Sequence, residues 1–304
     1  MFDYKDFGQV FGQVAPFPDR TFYQETETFR RSLDGALFID RVLKALGITK
    51  AKIYPAKTEN ALRTLHQLVC EANMSTHHRL SIFYYVLLDF DAAHGRTNLS
   101  EDFVSSSGVP QKYQIFMKGL RLLDRHQFER ALEFIAHPSL MPDFADDIIT
   151  AFIRHAENDD YSLALAYFHT VQPVLKTPQA LGLLFEAMAA TSLSQALHYS
   201  RTFADHTREA LFRRLIISVL DSPPGDEAAE RAVELVSLPM DAAEEAWYEE
   251  FLTTDGASHK KAKDALVMRR IVVGKFDDAV AERGLGSRWG PILEGMKQGL
   301  GGRV

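Results

Sequence analysis

The run from Lys112 to Leu140, KYQIFMKGLRLLDRHQFERALEFIAHPSL, constrains this chain more than any other stretch. Apolar residues at Phe116, Leu120 and Leu123, then at Phe128, Ala131, Leu132 and Ile135, recur at steps of three and four, the spacing of one helix face. The polar DRHQ between them leaves room only for a reversal, so the segment predicts two amphipathic helices packed antiparallel. Neither helix buries its stripe alone, and the pair needs neighbours. The doublet Ala131-Leu132 returns as Ala164-Leu165, Ala196-Leu197, Ala232-Val233 and Ala279-Val280, at steps of 33, 32, 36 and 47 residues. Three positions before each alanine stand Phe128, Tyr161, Leu193, Ala229 and Phe276. An apolar residue one turn earlier wedges between paired helices, and the alanine lets the backbones approach. Periods in the low thirties with two helices per unit predict an all-α chain, an irregular α-solenoid of stacked helical hairpins. Gly119, Phe128 and Ala131 fall at tetratricopeptide spacings, but the later units lack the glycine, so regular tetratricopeptide repeats are not expected. The competing expectation is an irregular helical globule in which such doublets recur by chance.

Charge and cysteine usage exclude several functions. A net charge of -7 with a pI near 5.9 argues against a protein that works by neutralising phosphates. The only compact basic run, His259 to Lys263 (HKKAK), follows an acidic helix, so no direct nucleic-acid binding is expected. Cys70 is the sole cysteine, which rules out an internal disulfide or a thiolate-rich zinc site and fits a reducing compartment. The opening MFDYKDFGQVFGQ mixes acids with aromatics and lacks the apolar core of a secretory signal. No stretch approaches the roughly 18 consecutive apolar residues of a membrane span, so no membrane insertion is expected.

Along the chain, residues 1–19 read as an extended aromatic N-terminal arm. Phe2, Tyr4, Phe7, Phe11 and Phe17 are spread among Gly8, Gly12, Pro16 and Pro18, which disfavour a long helix. Either these rings pack back onto the first helices or they insert into a partner, and Phe2, Tyr4, Phe7 and Phe11 are the partner-binding candidates. Residues 20–108 form a helical cap: one helix from Thr21 to Leu46 stopped by Gly47, an extended KIYPAK connector, a helix from Thr58 or Glu59, and an almost uniformly apolar one from His77 to Asp91. The polar stretch GRTNLSEDFVSSSGVP then reads as a loop with a short helix capped by Ser100, broken at Ser105, Ser106 and Ser107; it marks a domain boundary and a protease site. Residues 109–294 are the solenoid of helix pairs, with Thr177-Pro178 as a helix start. Glu244, Glu245, Glu249 and Glu250 read as a solvated acidic face, and the glycine-rich residues 295–304 as a flexible tail.

Catalytic chemistry is hard to place on this pattern. His77 and His78 diverge by roughly 100 degrees on a helix and do not share an ion. His66 and Cys70 share a face, but two ligands do not make a metal site. GLGSRWG carries Gly284, Gly286 and Gly290, yet its spacing is off by one and no strand precedes it, so dinucleotide binding has no geometry to use. Asp89, Asp91 and His94 form an imaginable acid-base trio at a helix end leading into a glycine turn, where acids are common. No catalytic, cofactor-binding or metal-ligating residue is expected.

The runs ALFIDRVLKALGI, AKIYPAK, YYVLLDFD, KYQIFMKGL, FERALEFIAHPSL and SLALAYFHTVQPVL, in that order between Phe38 and about Leu175, resemble the helical domain of fungal ELYS-like nuclear pore assembly proteins, with weaker similarity to about Asp221. The resemblance implies an all-α structural nucleoporin in the nucleus, at pores of the nuclear envelope. Its implied partners are scaffold nucleoporins of the Y-shaped complex, at the propeller and solenoid arms. Animal members add an N-terminal β-propeller and a disordered C-terminal region with a chromatin-binding hook, neither of which this sequence matches; scaffold attachment is the role that carries over. The alternative is a tetratricopeptide-like adaptor that reads short peptide segments, favoured by a groove lined with Arg, Lys and Asn. An all-α enzyme is a third, needing a deep polar pocket with coupled titrating groups.

Overall fold

A computed structural model describes residues 2–50, 52–94, 98–282 and 289–300, with the side chains of His94, Lys297 and Leu300 outside that description. Every α or β element among the described residues is an α-helix, so the all-α expectation holds. They divide into two compact units, Met1–Val174 and Leu175–Val304.

The first unit contains α1 (Phe7–Phe11), α2 (Arg20–Ser32), α3 (Phe38–Ala45), α4 (Glu59–Glu71), α5 (Thr76–His94), α6 (Leu99–Ser107), α7 (Gln111–Asp124), α8 (Phe128–Ile135), α9 (Ala145–Arg154) and α10 (Ser162–Val171). As its all-round apolar sequence requires, α5 is central: Leu80, Phe83, Tyr84 and Leu87 are buried, and α4, α6 and α7 pack against it. The DRHQ reversal folds α8 back onto α7 as expected, with His126 at positive φ and the Gln127 N–H donating to the Leu122 carbonyl at 2.9 Å.

Gly119 sets how closely these two helices approach. A Cβ there would lie 2.5 Å from Ile135 Cγ2 and 3.2 Å from Phe134 Cβ. Gly119→Val is therefore expected to cost about 1–3 kcal/mol by overpacking, read as a lower urea midpoint at unchanged slope. Adding Ile135→Ala to the same chain should recover part of the loss.

Three expectations for this unit need correction. The helix expected from Thr21 to Leu46 is two, because Asp34 and Gly35 both take positive φ and reverse the chain between α2 and α3. The short helix expected in the serine-rich stretch is α6, but Asn98 and not Ser100 takes its N-cap position, and Ser105, Ser106 and Ser107, expected to break it, continue it to left-handed Gly108. The boundary expected near residue 108 falls inside the first unit. Asp91 accepts the Leu99 and Ser100 N–H groups at 2.8 and 3.0 Å, Phe103 and Val109 are buried, and α7 packs on α3 and α5. Buried contacts across that stretch outweigh its loop-like composition.

The second unit contains α11 (Pro178–Thr191), α12 (Leu193–Ser200), α13 (Asp205–Leu220), α14 (Asp226–Ser237), α15 (Ala242–Thr253), α16 (Ala262–Val272), α17 (Phe276–Ala281) and α18 (Trp289–Leu300). Consecutive helices pair from α11 to α14 and again from α15 to α17, and helices two apart also pack: α11 on α13 on α15, and α12 on α14 on α16. This alternation is what hairpins stacked side by side produce. Thr177 accepts the Ala180 N–H and Pro178 opens α11, as expected.

The five alanines fall in α8, α10, α12, α14 and α17, each a helix that folds back on its predecessor. Ala131, Ala164, Ala196 and Ala279 are buried, but Ala232 is only half-buried and Val233 is exposed. In α14 the buried alanine is Ala228, 32 residues after Ala196, so the doublet is one helical turn out of register there. A pair running from Ala265 to Ala281 with a break at Gly274, as the spacing predicts, is present as α16 and α17, which pack on each other across Gly274 at positive φ. Gly295 and Gly299 lie within α18 instead of a frayed tail, while residues 301–304 lie outside the described residues.

Candidate interaction surface

The aromatic residues proposed for partner binding sit on the first unit. Asp6 accepts the Gly8 N–H and starts α1, and Gly12 leaves it after five residues, so this segment is a short helix and turns instead of an extended arm. Phe11 is 2% exposed and meets the Phe83 ring edge-on at 5.6 Å, with His66 beside it. That burial removes Phe11 from any contact surface. Phe7 is half-buried between the His66 ring and the Arg63 guanidinium, which lies 4.1 Å over it. Tyr4 is half-buried, its carbonyl 2.9 Å from His66 Nε2, and Phe2 is half-buried edge-on to Phe103 at 5.6 Å. Three of the four candidates therefore keep an accessible edge, fixed by packing on α4, α5 and α6. Farther along, Pro16, Phe17, Phe22, Arg121 and Arg125 line a cleft of about 510 Å³, with the Arg125 guanidinium 4.1 Å over the Phe22 ring.

The chemistry-bearing residues resolve into structural ties. His66 and Cys70 do meet, at 3.7 Å, but what joins them is the Tyr4 carbonyl, and burial pushes the Cys70 thiol up and holds His66 low. Among the described residues no group of three or more His, Cys, Asp or Glu is placed to hold a metal. Of the acid-base trio, Asp91 is spent on the start of α6, and the His94 side chain lies outside the described residues. Asp89 is 3% exposed and receives the Tyr54 hydroxyl at 2.5 Å and Arg121 Nε at 2.9 Å. Gly284 and Gly286 lie outside the described residues, and Gly290 is in the first turn of α18.

Sequence reasoning missed the residue beside Asp89 that does most. Asp124, 3% exposed at the end of α7, accepts the Phe38 and Ile39 N–H groups at 2.6 and 3.1 Å and the Tyr85 hydroxyl at 2.7 Å. The carboxylate thus closes the N-terminus of α3, where the helix dipole favours an anion. Burial pushes its carboxyl up to about 7, although all three hydrogen bonds favour the charged form. The available signal was an acid directly after the apolar Leu122-Leu123, where the helix faces inward.

In the second unit, the acidic residues expected to form a solvated face line a seam between helices. Glu244 is 0% exposed; it accepts from Arg201 at 2.9 and 2.7 Å and from Arg208 at 2.5 Å. Its own helix begins with a capping box, Asp241 accepting the Glu244 N–H and Glu244 accepting the Asp241 N–H. Glu245 pairs with buried Arg269, and Glu249 with Arg270 at 2.6 Å. Only Glu250 matches the expected solvated role, 61% exposed and 4.0 Å from Arg213. In HKKAK, His259 lies 2.8 Å from Asp221, and Lys261 donates to the Ser222 carbonyl at 2.5 Å, so the basic run closes onto the α13 end instead of facing outward as a whole.

These features define an all-α protein of packed helical hairpins whose buried charges are matched internally and whose accessible aromatics and clefts lie at its surface. Among the described residues no helix is long and apolar enough to cross a membrane. The chain belongs to the ELYS family, described as nuclear pore complex assembly, whose model matches residues 36–255. It is also 26% identical over 223 residues to the fission yeast (Schizosaccharomyces pombe) protein titled "Uncharacterized protein ely5", a match covering 72% of this chain and 70% of that protein. The family match includes both the α3–α7 core and the Glu244 seam.

Proposed function

We propose that this chain is a structural nucleoporin that binds the Y-shaped scaffold complex of the nuclear pore, at its propeller and solenoid arms, and supports pore assembly at the nuclear envelope. The observation that carries this reading is the match to a nuclear pore complex assembly family over residues 36–255. Stacked helical hairpins support it physically, because they expose long faces to other macromolecules without needing a reaction centre. Phe2, Tyr4 and Phe7 form the proposed contact. Half-buried rings held by packing lose little freedom when a partner covers them.

The test is gel filtration of the full chain with a reconstituted Y complex. The wild type should co-elute, and a Phe2→Ser/Tyr4→Ser/Phe7→Ser variant with an unchanged melting temperature should bind at least about tenfold more weakly. Absence of co-elution with any scaffold subunit would overturn the scaffold reading. Equal binding by the variant would overturn the aromatic contact alone.

A further inference from the structure

The loop joining α3 to α4 carries Lys50, Lys52 and Lys57, all exposed. With Ile53, Pro55 and Thr64 they border a cleft of about 410 Å³. Among the described residues none of these lysines forms an ion pair; the Lys57 ammonium lies 5.8 Å over the Tyr23 ring. The acid at the cleft, Glu27, is engaged by Arg30. Three unmatched cations thus face one small concavity in a chain whose net charge is -7.

The part of the loop from Tyr54 to Ala56 is held in place from beneath. Tyr54 is 3% exposed and donates its hydroxyl to Asp89, while its carbonyl accepts from Arg30 Nη2 at 2.8 Å. The Ala56 carbonyl accepts from the Tyr23 hydroxyl at 3.2 Å. Arg30 is fixed in turn by Asp40 at 2.8 Å. These bonds fix the backbone at Tyr54 and Ala56, and Lys52 and Lys57 stand within two residues of it, which lowers the entropy cost of engaging a ligand.

We infer that this cleft binds an acidic peptide segment of a partner protein, carboxylate side chains meeting Lys50, Lys52 and Lys57 and one apolar side chain resting on half-buried Ile53. Charge complementarity selects the occupant: the local sign is opposite to that of the whole chain, and ammonium groups at an exposed rim attract carboxylates while setting partner choice. The polar and apolar borders lie close enough for one short extended segment to meet both. Nucleic acid fits less well, because three cations around a single cleft make no continuous basic track for a phosphate backbone. The inference stands apart from the scaffold reading, since it specifies ligand chemistry at a different surface from Phe2, Tyr4 and Phe7.

The experiment is fluorescence anisotropy on the full chain with a labelled peptide of about ten residues, glutamates and serines around one central leucine. Wild-type protein should bind it, a glutamine-for-glutamate version should bind at least about tenfold more weakly, and rising salt should weaken the acidic peptide alone. Lys50→Glu/Lys52→Glu/Lys57→Glu should lose at least about tenfold in affinity, and the corresponding glutamine variant an intermediate amount, with melting temperatures unchanged. Reversing Lys112, Lys118 and Lys260 to glutamate instead should change affinity by less than about twofold. Undiminished binding to the triple glutamate variant, or equal affinity for the uncharged peptide, would overturn the inference. So would tighter binding of a short DNA duplex that the same three substitutions abolish.

Discussion

Asp124→Ala is expected to destabilise the first unit by at least about 3 kcal/mol, because it strands three buried donors at once, each costing about 1–3 kcal/mol when left unpaired. The Phe38 and Ile39 N–H groups have no intrahelical acceptors at the start of α3, and the Tyr85 hydroxyl is enclosed by α5 and α7. Asp124→Asn should cost less, since the amide keeps the volume and one acceptor oxygen, but its nitrogen then faces a donor. Urea unfolding followed by helix signal reads both. The pH dependence has a definite sign. With the folded carboxyl at about 7 and its ordinary value at 3.8, the folded state holds more protons than the unfolded state between those values. The wild-type advantage over Asp124→Asn is therefore fully present below pH 3.8 and declines as pH rises through about 7. A difference between the two proteins that stays constant from pH 5 to pH 8, on the order of that window, would show that the carboxyl is not raised.

Glu244→Ala should have an effect of similar size in the second unit, about 3–5 kcal/mol, the usual cost of removing one partner from a buried charge cluster. Arg201 and Arg208 would lose their shared acceptor, and the Asp241 N–H would lose its half of the capping box. Glu250→Ala, three residues from the end of the same acidic helix, should change stability by less than about 0.5 kcal/mol. Thermal unfolding of the two variants side by side gives the comparison, and equal effects would mean that the seam contributes nothing. Burial raises the Glu244 carboxyl, but the hydrogen bonds from Arg201 and Arg208 outweigh it and hold the group below its ordinary value. Stability from this group is accordingly present above the ordinary glutamate range and lost as pH falls through the lowered value. It opposes Asp124 in sign, so the two variants should respond oppositely to acid.

Helix positions and pairing were largely legible because the apolar spacing of each segment is a local property. The DRHQ reversal, the Thr177-Pro178 start and the uniformly apolar α5 all follow from residues within a turn or two of one another. The break at Asp34-Gly35 was legible too, as an Asp-Gly turn, but the helical periodicity running across it masked the signal. The stacking period was visible and then lost at α14. Ala228 and Ala232 are one turn apart in the same helix, and packing against α12, α13 and α16 selects which of them is buried.

The candidate surface was legible only as composition. Phe2, Tyr4, Phe7 and Phe11 look alike in sequence, yet Phe11 is committed to the core by Phe83 and His66 while the other three retain an edge. Likewise nothing local in KIYPAK shows that Tyr54, between Lys52 and Lys57, is tied to Asp89, thirty-five positions away, in the interior.

By itself, the sequence determined an all-α chain of paired helices and its kinship with a nuclear pore assembly family, since both are written in the order and spacing of apolar residues. Tertiary structure alone decided which charges are enclosed. Asp124 and Glu250 are both acids near a helix end, but one is enclosed with three donors supplied by distant segments and the other meets water. The cost of burying a charge depends on partners brought in from elsewhere in the chain, and no local pattern of residues specifies them.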